Sequence, residues 1–507
     1  MRVGFKVLQE RFGIELVQPL RVESEIGPTR TRVESPTGVQ NRYPPSYAPR
    51  DDFSGHFEFA LKYEEIHLEF LSRLFVASGP APLEEWCRRE PSGQYARRAG
   101  FLYEWLTGAR LDVPDLTKGN YVPVLPPQGY LTRTTPILDR RWRVGDNLPG
   151  TPEFCPIVRR TSALQDALRF DPTLALADLD RRFGEEILLG SSGWLTLKES
   201  RASFRIEHEE DRSDRVARFA SVIAEHCGKI EDPLCEASLT ILQEGVLGAN
   251  APGLGIRRSP VFVGQATLRE DVVHYVGPRF EDVPGMLAGL REAERSTRGA
   301  EPVLRAGVLS FGFVYIHPMR DGNGRIHRIL INDTLVRDRC IPDAVILPVS
   351  ASITHSVRLR ADYEQILEVF SRPFLRRFGS RCRFGEMTTA PDGTRTNFHF
   401  DAYDEAGPAW RHPDLTEHAI YVARLIEHTI QTQMAEEAKI LSSFRVASER
   451  MKEVIEVPNA QANRIIRSLK ENDWMVTGKL RKECVWLEDD AIRVRLVAAV
   501  RSAFETE

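Results

Sequence analysis

Residues 317–328, which read His-Pro-Met-Arg-Asp-Gly-Asn-Gly-Arg-Ile-His-Arg, constrain the fold more than any other stretch of this chain. Gly322 and Gly324 flank Asn323. Without Cβ atoms the backbone at the two glycines can take positive φ angles and bring successive N–H groups onto an anion. The apolar residues behind them recur at helical spacing: Ile326, Ile329, Leu330 and Leu335. The sequence therefore predicts a loop at a helix N-terminus, where free N–H groups and the helix dipole favour phosphate.

Four side chains of the same stretch are suited to phosphate chemistry. Asp321 offers the hard oxygen that Mg²⁺ takes together with substrate phosphates, which makes it the candidate metal ligand. Arg325 and Arg328 can each form bidentate bonds to phosphate oxygens. His317 has an ordinary pKa near neutrality and can accept a proton from a hydroxyl. Any one of these residues alone fits a surface loop, but in this register they predict a site of phosphate chemistry.

The stretch resembles the core motif of the Fic (Fido) family, H-P-F-x-D/E-G-N-G-R-x-x-R, and departs from it only at Met319. Because Phe to Met is an apolar change of similar volume, we expect repacking beneath the loop. Proteins with the intact motif mostly transfer AMP from ATP to a protein hydroxyl. The resemblance implies that His317 deprotonates the target Ser, Thr or Tyr, that Asp321 holds Mg²⁺, and that pyrophosphate leaves. It assigns phosphate binding to Gly322, Asn323, Gly324, Arg325 and Arg328.

Two other segments resemble parts of the same family. Arg257–Gly264 is similar to the β-hairpin, or flap, that precedes the motif and registers a target segment by strand addition. Its target-docking residues are Val261, Phe262, Val263 and Gly264. An ordinary buried strand is the alternative for this apolar run. Residues 346–367 resemble the last core helices, in which Tyr363 is either an adenine neighbour or a packing residue.

A short pattern, S/T-x-x-x-E-G/N, marks an inhibitory helix in many family members, whose glutamate pairs with the second motif arginine. Ser203 and Glu207 match it upstream of the core helices, but His208 stands where the pattern has Gly or Asn. Thr240–Gly245 matches the letters better and would make Glu244 the inhibitory residue, but it lies close before the flap. We favour Glu207 with Ser203. A solvated helix face is the alternative.

Composition is that of a folded chain too long for one core: 507 residues, 42% hydrophobic, 28% charged, with net charge −4. This small net charge argues against a general affinity for nucleic acid. The seven cysteines are odd in number and form no C-x-x-C pair, which favours reduced thiols and a cytoplasmic protein. We find neither a signal peptide nor an apolar run of the ~20 residues that a membrane span needs, so no membrane partner is expected.

We expect a mainly α fold in three regions. Residues 1–195 form a helical and Pro-rich region, in which 20–52 read as an extended arm or loop and 114–156 as a segment that wraps over other elements. Residues 196–370 form an all-helical Fic core that includes the inhibitory helix and the β-hairpin flap. Residues 371–507 begin with a hairpin whose turn is Pro391-Asp392-Gly393, followed by a long helix from Leu415.

The end of the chain, residues 439–486, resembles a winged helix-turn-helix, with a second helix from Ala460 to Glu471 and a strand pair around Trp474–Trp486. This segment holds ten Lys or Arg against six Asp or Glu. A candidate recognition face carries Asn463, Arg464, Arg467 and Lys470. Such an excess of four positive charges is small, so a protein-docking or dimerisation role competes with DNA binding.

The sequence thus predicts a protein adenylyltransferase that uses Mg²⁺ and ATP and is restrained by its own helix. Its partners would be a target protein with an acceptor hydroxyl, the chain itself through self-modification, or a second copy in a homodimer. Two alternatives remain at this stage: a Fic enzyme that transfers another phosphate-containing group or removes AMP, and a DNA-binding regulator with a nucleotide-sensing core. An intact His317 argues against the regulator, because sensing needs no base.

Overall fold

The structure, a computed structural model, describes residues 1–35, 38–184, 187–209, 213–266 and 271–505. As predicted, it is mainly α-helical with small sheets. Four N-terminal strands form one sheet: β1 (Arg2–Val3), β2 (Val22–Ile26), β3 (Thr31–Ser35) and β4 (Gly38–Tyr43). Their order is β1-β2-β4-β3, with β2 parallel to β4. Five helices accompany the sheet: α1 (Phe5–Arg11), α2 (Phe53–Tyr63), α3 (Leu68–Ser78), α4 (Ala81–Arg89) and α5 (Gln94–Thr107).

Three strands of this sheet come from residues 20–52, which the sequence predicted as an arm or loop. In β4, Val39, Asn41 and Tyr43 are buried and alternate with exposed residues, which is the period of a half-buried strand. The surrounding Pro, Ser and Arg residues obscured this short alternation.

The Pro-rich segment that follows α5 is mostly irregular and contains one small sheet. Its strands are β5 (Val122–Pro123), β6 (Ile137–Asp139) and β7 (Val144–Asp146), in the order β5-β7-β6. Its buried side chains join two different cores, because Val124 and Leu148 pack with the N-terminal helices whereas Phe154 and Val158 pack with the central ones. The segment therefore wraps over other elements, as its composition predicts.

The central part, where the structure describes it, is helical apart from one hairpin. Its helices are α6 (Ser162–Ala167), α7 (Pro172–Phe183), α8 (Ile187–Ile206), α9 (Ser213–His226), α10 (Glu236–Leu247), α11 (Val283–Ser296), α12 (Pro302–Ile316), α13 (Asn323–Arg337), α14 (Val349–Thr354) and α15 (Val357–Phe378). The hairpin consists of antiparallel β8 (Phe262–Ala266) and β9 (Asp271–Val276). Helix α12 is buried along nearly its whole length and packs on α11 and α13. The predicted region limits at 195/196 and 370/371 fall inside α8 and α15.

The C-terminal part begins with the predicted hairpin, β10 (Cys382–Thr389) and β11 (Arg395–Phe400). The helices that follow are α16 (Tyr403–Arg411), α17 (Thr416–His428), α18 (Ala435–Val454), α19 (Asn459–Glu471), α20 (Gly478–Glu483) and α21 (Asp490–Glu505). A π-helical turn, Thr429–Met434, joins α17 to α18, so the long helix predicted from Leu415 runs on to Val454.

The structure corrects the prediction of a C-terminal wing. In place of strands around Trp474–Trp486 it has α20, which Thr477 caps by accepting a hydrogen bond from Leu480 N (3.2 Å), and then a 3₁₀ turn. The buried residues Leu480, Cys484 and Leu487 recur at the spacing of a helix rather than of a strand. The module is therefore helical, with α21 packed against α18, and it keeps the predicted helix-turn-helix order of α18 and α19.

Buried apolar side chains form three larger clusters. One lies among α1 to α5, one spans the central helices and extends to α16 and α17, and one lies among α18 to α21. Within the described ranges, no helix combines the length and the apolar character needed to cross a lipid bilayer.

Candidate active site

The predicted phosphate loop connects α12 to α13. His317 ends α12 in the left-handed conformation (φ 49°, ψ 57°), and Gly322 precedes α13 with φ 92°. The Asn323 side chain accepts a hydrogen bond from Met319 N (3.1 Å) and donates one to Met319 O (2.8 Å). Asn323 therefore closes the loop, while the first N–H groups of α13 have no partner within the helix. Met319 is fully buried beneath the loop, in agreement with the expected apolar repacking.

His317 has the protonation state that a general base requires. Its Nδ1 lies 3.2 Å from Val314 O, which can only accept, so Nδ1 carries the hydrogen and Nε2 keeps its lone pair. Burial, followed by the charge of nearby Arg257, lowers the pKa of His317 to about 4. The imidazole is therefore neutral at pH 7 and can accept a proton through Nε2.

The second motif arginine, Arg328, is fully engaged by α8 and its C-terminal end. Its guanidinium donates to Ser203 Oγ (3.1 Å), to Ser203 O (3.1 Å) and to Glu207 Oε1 (2.8 Å). It also donates to the hydroxyl of Tyr363 (3.3 Å). The side chain of Arg328 is 1% exposed and that of Glu207 is 35% exposed, so the pair sits at the edge of the interior. The carboxylate at Arg328 is thus that of Glu207, whereas Glu244 lies on α10.

The Glu207 carboxylate is held in its charged form. Burial raises its pKa, but the positive charges of Arg328 and then Arg325 oppose this, and the pKa lies below its usual value. Gly324 makes room for it, because a Cβ atom there would lie 2.6 Å from Glu207 Oε1.

The first motif arginine, Arg325, is occupied by a carboxylate that the sequence did not single out. It donates to Glu209 Oε2 (2.5 Å) and to Asp321 Oδ1 (3.2 Å), and its guanidinium lies 4.9 Å from the ring centroid of Phe204. The only sequence signal for Glu209 was its position two residues after Glu207. Both motif arginines, which lie on α13, are thus paired with acids of the segment that directly follows α8.

The backbone explains why the inhibitory pattern ends in Gly or Asn. His208 follows Glu207 with φ 58°, a left-handed conformation that favours Gly and Asn after a helix. The His208 side chain accepts a hydrogen bond from Arg360 (3.2 Å), which helps to hold the residue in this conformation. The departure from the pattern at His208 is therefore compatible with the geometry that the pattern describes.

The site opens into a cavity of about 570 Å³. Residues from four parts of the site line it: His317 and Gly324 of the loop, Glu207 after α8, Tyr363 of α15, and Val263 and His274 of the hairpin. A volume of this size is typical of sites for small molecules. The structure thus brings together residues that lie more than a hundred positions apart in the sequence.

The hairpin β8–β9 lies where the sequence predicted the flap, and the four predicted docking residues differ in their contacts. Val263 is 42% exposed and faces the cavity. Phe262 instead packs on β10–β11, with ring centroids 4.6 Å from Phe398 and 5.4 Å from Phe384. Val261 lies before β8 and closes the base of the hairpin by accepting a hydrogen bond from Gly277 N (3.0 Å). Gly264 follows a bulge, and a Cβ atom there would lie 2.3 Å from Val272 O.

Comparisons with known proteins identify the central part of the chain. Residues 240–335 match the family model described as Fic/DOC family. The chain contains a Fic domain. Over 127 residues it is 34% identical to protein adenylyltransferase fic-1 of Caenorhabditis briggsae, and over 125 residues it is 34% identical to the Caenorhabditis elegans protein of the same name. Each alignment covers 24% of this chain and 21% of the relative, so the chain spans about a fifth of the length of these relatives.

Solved structures also resemble the chain. One is a Fic family protein from Desulfovibrio desulfuricans G20, with a TM-score of 0.38 and 16% identity over 63% of this chain and 92% of that one. Another is a Fic domain containing signaling protein from Bacteroides thetaiotaomicron VPI-5482, with a TM-score of 0.30 and 18% identity over 55% and 94%.

Asp321 of the Fic domain fits the requirements of a Mg²⁺ ligand. Its carboxylate is 59% exposed beside the loop, and Oδ1 accepts a hydrogen bond from Gly322 N (2.6 Å). The described residues contain no cluster of three or more His, Cys, Asp or Glu that could cage a metal ion. One exposed carboxylate suits Mg²⁺, which keeps several waters and takes its other ligands from substrate phosphates.

Gln243 of α10 holds the same loop by hydrogen bonds, a role that the sequence did not predict. Its side chain donates to Asp321 O (3.0 Å) and accepts from Gly255 N (2.7 Å), and it is fully buried. Gln243 thus ties the loop to the segment before the flap.

Glu199 attaches α8 to α14. Its carboxylate accepts hydrogen bonds from Ser350 N (2.7 Å) and from Ser350 Oγ (2.5 Å) at the start of α14. Burial raises the pKa of Glu199 to about 7 despite these bonds. The packing of α8 on α14 therefore depends on a carboxyl group that titrates near neutral pH.

We expect Glu199→Gln to remove a pH-dependent loss of stability. Because the pKa of Glu199 is about 7 in the folded chain and 4.5 is its ordinary value, the folded state binds more protons between these values. The contribution of Glu199 to the free energy of unfolding is therefore fully present below about pH 4.5 and is lost as pH rises through 7, a change of up to about 3 kcal/mol. Glutamine can accept from Ser350 N and donate to Ser350 Oγ, as the protonated acid does. Urea midpoints of both proteins from pH 5 to 8 measure the difference, and parallel profiles would contradict the assignment.

Proposed function

We propose that the Fic domain transfers AMP from Mg-ATP to a Ser, Thr or Tyr hydroxyl of a target protein. The observation that carries this proposal is that the neutral His317 imidazole, the loop residue Gly324 and the flap residue Val263 border one cavity. The names of the two nematode relatives, both protein adenylyltransferases, support the same chemistry.

The proposed reaction is an in-line displacement at the α-phosphorus of ATP. His317 Nε2 accepts the proton of the target hydroxyl, and the hydroxyl oxygen forms a bond to the α-phosphorus. The bond from that phosphorus to the oxygen bridging the α and β phosphates breaks, and pyrophosphate leaves. The free N–H groups at the start of α13 stabilise phosphate charge, and Arg325 and Arg328 bind the β and γ phosphates. Tyr363 lines the same cavity, and its hydroxyl accepts a hydrogen bond from Arg328 (3.3 Å), so we assign it a packing role at the phosphate end of the site rather than a contact with the adenine.

Mg²⁺, when bound, would neutralise phosphate charge, with the Asp321 carboxylate as its protein ligand. Arg325 donates a hydrogen bond to Asp321 Oδ1 (3.2 Å), so the arginine also orients the carboxylate. The flap would hold the target segment by strand addition and present its hydroxyl to His317.

The proposal includes restraint by the chain's own α8. The productive position of the γ phosphate requires the Arg328 guanidinium, which Glu207 and Ser203 occupy. The ion pair is made within one chain, so restraint in cis needs no partner. A homodimer is a further proposal that the contact does not require.

Mass-resolved labelling with α-³²P-ATP beside γ-³²P-ATP and Mg²⁺ tests the transferred group. Wild type, Glu207→Gly and Glu207→Gly/His317→Ala are incubated in a cell lysate and, separately, alone to detect self-modification. AMP transfer predicts label from the α position only, strongest in Glu207→Gly and absent from the double variant. Label from γ would make the protein a kinase.

The side-chain contacts of α19 give little support to DNA binding by the C-terminal module. Arg464 donates to Glu483 (2.6 Å), and Lys470 lies 5.5 Å and 5.1 Å from the ring centroids of Phe444 and Phe504. Asn463 and Arg467 are exposed. Two of the four candidate contacts are thus engaged within the module. If no variant is labelled, DNA binding that changes with ATP becomes the better account.

A further inference from the structure

Arg257 lies between α10 and the flap, and its side chain is 2% exposed. Its guanidinium donates to three main-chain carbonyl oxygens: His317 O (2.7 Å), Ser259 O (2.8 Å) and Pro278 O (2.7 Å). Its own main-chain N–H donates to Pro318 O (2.9 Å). The side chain and backbone of one residue thus hold the loop at two consecutive positions.

The three carbonyl groups belong to the parts of the site that must meet in the reaction. Ser259 lies where the chain enters the flap, Pro278 lies where it leaves, and His317 is the proposed base. Because the guanidinium is planar and rigid, three bonds from it fix the relative positions of these three groups. We propose that Arg257 is a positioning residue that sets the flap at a fixed distance from His317, so that a hydroxyl held by the flap meets Nε2.

The chemical surroundings of Arg257 support a role beyond filling space. Among the residues that the structure describes, no carboxylate bonds its guanidinium, and burial lowers the pKa of Arg257 to about 10. A buried charge whose partners are all neutral is costly, so a smaller apolar side chain would suit a purely structural position better. The bond to His317 O also supports a residue in the left-handed conformation, which is unfavourable outside glycine.

The inference rests on the proposed function, and its test uses readouts that separate the two. All variants are made in the Glu207→Gly background. Arg257→Lys keeps the charge but cannot reach three carbonyl groups at once, whereas Arg257→Met removes both charge and bonds. Arg279→Met is the matched control, because Arg279 follows Pro278 directly and its ion pair is with Asp404, whose side chain is 91% exposed. Surface pairs of this kind contribute little.

We expect Arg257→Lys to lower kcat/KM for the target protein by about 100-fold, since a misplacement of about 1 Å has an effect of this order. The KM for ATP should change by less than about 3-fold, because the phosphate-binding groups are untouched. Arg279→Met should match the parent. Equal kcat/KM for Arg257→Lys and the parent would overturn the proposal, and so would a parallel loss of ATP binding and thermal stability.

Two measurements that need no turnover accompany the kinetics. Amide hydrogen exchange in β8 and β9 should be faster in Arg257→Lys than in Arg279→Met, because the base of the flap is released. An NMR titration of the His317 ring, identified among twelve histidines by His317→Ala, should show a low pKa kept in Arg257→Lys and raised in Arg257→Met. The other groups that face His317, namely Tyr275 and the residue at 207, are identical in all variants. Unchanged amide exchange of β8 and β9 in Arg257→Lys, together with an unchanged His317 pKa in Arg257→Met, would overturn the positioning role even if the protein is inactive. Faster exchange and a raised pKa in a protein that transfers no AMP would refute only the proposed function. If Arg257→Met fails to fold, Arg257→Lys alone decides.

Discussion

Glu207→Gly is expected to raise the rate of AMP transfer by about 10- to 100-fold, the range that one charge-assisted hydrogen bond of about 1.5–3 kcal/mol corresponds to. The substitution removes the carboxylate 2.8 Å from Arg328 and frees the guanidinium for the γ phosphate. The Glu207 side chain is 35% exposed, so solvent screens the ion pair with Arg328. We therefore expect an increase in the lower half of this range. Initial rates with α-³²P-ATP and a fixed lysate measure the effect.

Glu244→Gly is the control for this prediction. Glu244 occupies the matching place in the other copy of the inhibitory pattern, but on α10. We expect Glu244→Gly to transfer AMP at the wild-type rate. Activation by Glu244→Gly together with an inert Glu207→Gly would overturn the assignment of α8 as the inhibitory helix.

Glu209→Gln tests whether the pairing of the first arginine adds to the restraint. Its carboxylate bonds Arg325 but is 30% exposed, so we expect a rise of only a few-fold. In the double variant with Glu207→Gly, rates that exceed the product of the single effects would show that the two carboxylates restrain the loop together. If Glu209→Gln raised the rate as much as Glu207→Gly does, the expectation that Glu207 restrains the site more strongly than Glu209 would be wrong.

The parts of the site that could be predicted are those whose reactive side chains lie close together in the sequence. His317, Asp321, Gly322 and the two arginines lie within twelve residues, so their types and spacing predict the loop without knowledge of the rest. Ser203 and Glu207 were found because they match the pattern of the inhibitory helix in the family that the motif resembles. Which arginine they contact, 121 to 125 positions away, depended on the resemblance and not on spacing.

The features that were missed depend on contacts without a side-chain signature. Arg257 bonds main-chain carbonyl groups, which every residue possesses, so nothing in the sequence marks His317, Ser259 and Pro278 as its partners. The wing was predicted from the order of elements. The buried residues from Leu480 onwards are in fact spaced as in a helix. Helix α20 has only six residues, so this spacing extends over little more than one turn. Short elements give periodicity too few positions to distinguish the two structures.

His317→Ala in the Glu207→Gly background is expected to lower kcat by about 100- to 10,000-fold, the range that general base catalysis contributes. The deletion removes Nε2, the proposed proton acceptor, but leaves the loop and both arginines. Because none of the phosphate-binding groups changes, the dissociation constant for Mg-ATP should stay within about 3-fold. Calorimetric binding of Mg-ATP beside single-turnover rates separates the two effects. Loss of nucleotide binding with the rate would make His317 part of the binding site rather than the base.

The pH dependence of the same reaction reports the state of His317 directly. Since the pKa of His317 is lowered to about 4, the imidazole is unprotonated and competent above that pH, and competence is lost as pH falls through about 4. We therefore expect kcat/KM of Glu207→Gly to be level from about pH 5.5 to 8, where an ordinary histidine would titrate. In Glu207→Gly/Arg257→Met the loss of the neighbouring charge should raise the pKa of His317 and move the acidic limb to higher pH than in Glu207→Gly. An acidic limb near pH 6.5 in Glu207→Gly itself would mean that burial and Arg257 do not hold His317 neutral during turnover.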